Sequence, residues 1–180
     1  PVISPVTSFF MISDTHYGIH DSVARINNLI YEEMNRLPGQ WYRSDSVSFK
    51  VMKPEGVFVS GDLTDKGDSA SWQQFATTLP VAGGNAIPYP VYEAFGNHDG
   101  PVNGPVRRGI KERNPQRVHL SGLSPDSLHY AITVNGLHIV NLNLYPGNAW
   151  VDTCSWCHYF KESFREPEYS LAFLQHYLEK

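Results

Sequence analysis

The chain has 180 residues, 41% of them hydrophobic and 13% aromatic, enough for one globular domain with a substantial core. A formal net charge of −4 argues against a general nucleic-acid binder. No stretch of about 18 apolar residues and no signal-peptide pattern points to a membrane. The first residue is Pro1 rather than Met, which leaves a soluble cytoplasmic or an exported location open, and no feature of the sequence sets the oligomeric state.

Thr7 to Ser13, an apolar run with polar ends, predicts a first buried strand. A helix follows, capped by Asp21 or Ser22, with Val23, Ile26, Ile30, Met34 and Leu37 on one face and Pro38-Gly39 as its stop. Gln40 to Pro54 reads as a loop or small excursion, and Gly56 to Ser60 as the second strand. The next helix starts near Asp68, sets Trp72, Phe75, Ala76 and Leu79 on one face, and stops at Pro80. Tyr89 to Phe95 is the third strand. Gly100 to Pro125, rich in Gly, Pro, Asn and Arg, reads as a long loop. Two strands between Leu128 and Leu144 turn at Asn135-Gly136, a hairpin signal. Glu168 to Lys180 is helical, with Leu171, Leu174 and Leu178 aligned. Strands alternating with helices favour an α/β layered fold with a largely parallel sheet.

Each of the first three strands ends in metal-ligating residue types. Asp14-Thr15-His16 follows the first, Gly61-Asp62-Leu63-Thr64-Asp65 the second and Gly96-Asn97-His98-Asp99 the third. In an open α/β sheet the carboxyl ends of neighbouring parallel strands converge on one crevice. Asp14 and His16, two residues apart, can turn toward one ion, and the glycines let the backbone bend sharply. Taken singly, each cluster is compatible with an ordinary turn or helix cap. Three in succession, each after an apolar strand, point to a shared metal site. A carboxylate, imidazole and amide set suits Mn, Fe, Zn or Co better than Ca or Mg alone.

These motifs, DTH, GDLTD and GNHD, resemble the ordered signature of the calcineurin-like metallophosphoesterases. The resemblance implies a layered α/β/β/α sandwich, two divalent or trivalent metal ions, and a bridging hydroxide that attacks a phosphomonoester or phosphodiester. It implies that Asp14 and His16 hold one metal, that Asp62 bridges both and that Asn97 binds the second. His98 would act near the leaving group, oriented by Asp99, with Asp65 just behind the ligands. The sequence departs from the signature in having no GHxH, and His119, His129, His138, His158 and His176 lack the expected spacing. The 180 residues are accordingly read as the N-terminal portion of one longer catalytic domain, with the C-terminal part missing and activity on their own open.

The basic residues Arg107, Arg108, Lys111 and Arg113 follow GNHD closely; Arg107 and Arg108 are candidates for guiding substrate phosphate, against the alternative of a solvated basic loop. Cys154 and Cys157 in CSWCH match a haem-attachment or redox pattern, with a plain surface loop as the alternative. A non-catalytic interaction module on the same fold is the other competing class; His98, which such scaffolds typically lose, is present.

Overall fold

The computed structural model describes residues 6–100, 103–143 and 170–179. The first half contains β1 (Phe10–Ile12), α1 (Asp21–Arg36), β2 (Trp41–Arg43), β3 (Ser48–Lys50), β4 (Val57–Val59), α2 (Ser69–Thr78) and β5 (Val91–Glu93). A 3-10 turn over Asn97–Asp99 leads to α3 (Pro105–Arg113), a second 3-10 turn over Asn114–Gln116, β6 (Leu120–Leu123), β7 (Tyr130–Val134), β8 (Leu137–Asn141) and α4 (Ser170–Leu178).

Three apolar strands make a parallel sheet in the order β1-β4-β5, with Phe10 opposite Val57 and Val57 opposite Val91. Alternation along these strands divides the core. Val57, Val59 and Val91 face the helices and pack with Tyr31 and Met34 of α1, Phe75 of α2, and Val106 and Ile110 of α3. The intervening Phe58 and Tyr92 face the other way, onto Tyr130, Ile132 and Val134 of an antiparallel sheet ordered β6-β7-β8. That second sheet is built on the predicted hairpin, whose Asn135 and Gly136 both take positive φ (51° and 80°), the conformation a two-residue turn requires. On its outer side lies α4, where Phe173 meets His129 and the Tyr177 hydroxyl reaches Ser121 and His138. The layers therefore run α/β/β/α. Burying each large apolar side chain of this core contributes about 1.5–3 kcal/mol.

The stretch from Gly100 to Pro125 is not one long loop. Pro105 occupies the first turn of α3, where its missing N–H costs nothing, and Val106 and Ile110, four apart, plug the helix into the core. Gly109 hid this helix from propensity, yet a Cβ there would come within 2.1 Å of Trp72. The cap of α1 also differs: His20 holds the N-cap position, without a side-chain cap hydrogen bond. On that helix Asn27, Tyr31 and Met34 are buried, while Ile26, Ile30 and Leu37 are exposed. In α4 the inward residue is Phe173; Leu171 and Leu178 face solvent. Asp68 does cap α2, accepting from the Ser71 N–H at 2.9 Å.

Candidate metal centre

Past the ends of β1 and β4 the two chains stay side by side. Asp14 N–H donates to Gly61 O, His16 N–H to Asp62 O and Tyr17 N–H to Leu63 O, and Asp65 N–H returns to Tyr17 O. These bonds hold an unusual backbone. Asp14, His16 and Asp62 have φ of 56°, 41° and 51°, and Gly61 lies between them in the ladder at 124°. A non-glycine residue at positive φ costs on the order of 1 kcal/mol or more. Three such residues at adjoining strand ends are therefore held against local preference by the surrounding bonds, as functional loops often are.

The third loop is locked to the second by contact rather than by φ. Gly96 is extended, a conformation any residue adopts, but a Cβ on it would lie 2.1 Å from Asp62 N. That approach lets the His98 N–H donate to Asp62 Oδ1 at 2.9 Å. Asp99 completes the lock. Its fully buried carboxylate accepts from Gly96 N–H, Leu63 N–H, Thr64 N–H and the Thr64 hydroxyl. Burial pushes the Asp99 carboxyl up to about 7, against the pull of those donors toward the charged form.

The loops gather three of the four sequence-predicted ligands, Asp14, His16 and Asp62, and set Asp65 and His98 beside them. The ligand atoms of Asp14, His16 and Asp62 all lie within 4.8 Å of one another, and so do those of His16, Asp65 and His98. His16 Nε2 is 3.5 Å from Asp14 Oδ1, and the His16 and His98 rings meet edge to face at 4.8 Å between centroids. His16 Nδ1 is buried with no hydrogen-bond partner among the described residues. Half-buried Asn97 opens the 3-10 turn beside them. Clustered carboxylates and imidazoles with unused lone pairs fit a borderline transition metal.

Two expected roles change. Asp99 does not orient the His98 ring, because its carboxylate is taken up by the second loop; Nδ1 of His98 is instead 2.8 Å from Asp65 O and 4.0 Å from Asp65 Oδ1. Asp65 thus stands beside His98 within the cluster. The basic segment after GNHD is a packed helix rather than an open loop. Arg113 pairs with Glu93, Lys111 with Asp126, and Arg107 is buried with its guanidinium 4.5 Å from the Phe95 ring centre. Of the four, Arg108 is exposed, donating to Asn103 O.

Residues that periodicity did not single out position these loops. Buried Asn27 of α1 donates to Thr15 O at 2.7 Å. Asn143, at φ 40°, accepts from Phe95 N–H and donates to Leu128 O, tying the third loop to the second sheet. An asparagine inside an otherwise apolar helix face was the available signal for the first. Among the remaining histidines, His129 is buried against Phe173, and His119, His138 and His176 are exposed. His158 and the two cysteines lie outside the described residues. A cavity of about 570 Å³ runs between α1 and α2, and of the cluster only His16 lines it, so it is not the space where the ligands converge. No helix among the described residues is long and apolar enough to cross a membrane.

The family model described as calcineurin-like phosphoesterase matches residues 7–172. No curated protein matches the chain.

Proposed function

The chain belongs to the calcineurin-like phosphoesterases, and on that premise we propose that it is a metal-dependent hydrolase of phosphomonoesters or phosphodiesters with a dinuclear centre. The observation that carries the reading is the convergence of Asp14, His16 and Asp62, whose ligand atoms gather on strained, cross-bonded strand ends. Asp14, His16 and Asp62 would hold one cation; Asp62, as a charged bridge, and Asn97 would hold the second. Bound Mn, Fe, Zn or Co ions would supply an acidified water and neutralise charge on the phosphoryl oxygens.

The chain's own residues do the rest. The Asp65 carbonyl accepts from Nδ1–H and fixes the His98 ring, so that the doubly protonated ring hands its Nε2 proton to the departing alkoxide and is left as the neutral Nδ1–H tautomer. Asp99 keeps the second and third loops in register, so that Asp62, Asn97 and His98 move as one unit. Arg108, exposed on α3, would attract an anionic substrate.

The test compares Asp62→Asn with His98→Ala by metal analysis and kinetics on a phosphoester. Asp62→Asn should lower metal occupancy along with rate. His98→Ala should keep its metal and lose on the order of 10²–10⁴ in rate, less with a nitrophenolate leaving group, which needs little protonation. Activity that survives exhaustive chelation in the parent protein would refute the proposal. Metal loss in His98→Ala as complete as in Asp62→Asn would make His98 a ligand.

A further inference from the structure

Between α1 and β4 the chain makes an excursion that the metal centre does not use. Among the described residues β2 and β3 pair only with each other, Tyr42 opposite Phe49 and Trp41 opposite Lys50. Alternation puts Tyr42 and Phe49 on one face, their rings 5.1 Å apart, and Trp41 and Arg43 on the other, with the guanidinium 5.8 Å from the indole centre. Both faces are open. Trp41 is 60% exposed, Tyr42 51% and Phe49 48%, and Val47 at the tip and Met52 at the base are exposed as well. Large apolar side chains so concentrated on a surface mark a contact site.

Two features identify the occupant. A protein surface laid against a thin ribbon covers one face, whereas a lipid headgroup layer surrounds both. The charge also differs from that of the whole chain. Residues 40–53 contain Arg43, Lys50 and Lys53 against Asp45, while the protein carries 14 basic and 18 acidic residues. Aromatic rings interleaved with cations suit the boundary between acyl chains and anionic headgroups.

We propose that the β2–β3 ribbon docks the protein on an anionic lipid surface. The test is cosedimentation of the protein with vesicles of phosphatidylcholine, alone or mixed with phosphatidylserine. It should sediment with the mixed vesicles, remain free with phosphatidylcholine alone, and be released by added salt. Tyr42→Ser with Phe49→Ser, and separately Arg43→Glu with Lys50→Glu, should each cut partitioning on the order of tenfold, with circular dichroism unchanged from the parent. Failure to sediment, equal sedimentation with both vesicle types, or undiminished binding by either folded double variant overturns the proposal. So does a concentration-dependent dimer that both double variants abolish, since the ribbon would then serve a second copy.

Discussion

The parallel sheet carries two groups of charged residues, one within β5 and one past the strand ends, and they are held in opposite ways. Glu93, in the strand itself, is completely buried and pairs with Arg113 at 2.8 Å and Arg117 at 2.8 Å, while Arg117 also donates to Val91 O and Arg113 to Leu79 O. The cluster at the strand ends has its backbone bonded but its ligand atoms gathered with capacity to spare, on residues at positive φ. Charges whose partners are all supplied by the fold serve the fold. Charges aimed at one another without a counter-charge from the fold are what a bound cation would satisfy.

Replacing Glu93 should produce the largest effect, because it leaves two buried guanidiniums without their counter-charge. Glu93→Ala is expected to cost about 3–5 kcal/mol, read as a lowered urea midpoint. The pH dependence sharpens this. Burial alone would raise the Glu93 carboxyl, but Arg117 and Arg113 hold it down at about 2, against 4.5 ordinarily. Its folded value is depressed, so its contribution is fully present above pH 4.5 and is lost as pH falls from there through 2. Integrated over that window the contribution is on the order of 3 kcal/mol. Glu93→Gln should show a flatter stability profile between pH 4.5 and 2 than the parent. A profile as steep as the parent's would place the acid sensitivity elsewhere, in the strand-end carboxylates.

The strand-end cluster was legible in the sequence, and the Glu93 network was not. DTH, GDLTD and GNHD announce themselves because ligand types follow strands in a fixed order, and the parallel sheet that brings them together follows from the strand and helix alternation. Glu93 gave no comparable signal, since one carboxylate in Val91-Tyr92-Glu93-Ala94-Phe95 does not disclose that arginines 20 and 24 residues later will cover it. Those arginines sat in a stretch that looked like loop because Gly109 and the charges outweighed Pro105, Val106 and Ile110. Side-chain orientation was equally out of reach. Whether Asp65 or Asp99 stands beside His98 depends on how a three-residue 3-10 turn points its side chains, which spacing does not encode.

A smaller effect is expected where the second and third strand-end loops touch through backbone. Gly96→Ala keeps an allowed φ but drives a Cβ into Asp62 N and Oδ1, at 2.1 and 2.3 Å, so the second and third loops must part. Overpacking of this kind costs typically about 1–3 kcal/mol. Unlike Glu93→Ala, it should also weaken metal binding, because separating the loops moves Asn97 away from Asp62. Zinc or manganese titration of the folded variant beside its denaturation curve gives both numbers. A variant that lost stability but bound metal as the parent does would show that the close approach serves packing alone.

The smallest effect on stability belongs to Asp14→Gly, and it separates the two regions most cleanly. Asp14 is exposed and sits at φ 56°, where its Cβ is disfavoured and glycine is at ease. Its backbone N–H, which bonds Gly61 O, survives the change. Glycine relieves the local strain but enlarges the unfolded ensemble, two terms of similar size and opposite sign. Stability without metal should therefore move by less than about 1 kcal/mol in either direction. Metal affinity should fall, because a carboxylate within 4.8 Å of the ligand atoms of His16 and Asp62 has gone. The parent should gain thermal stability on addition of the cation, as any ligand of the folded state confers, and Asp14→Gly should gain less at the same concentration. If instead the variant unfolded like Glu93→Ala and bound metal undiminished, Asp14 would be a structural residue and the contrast between the two regions would fail.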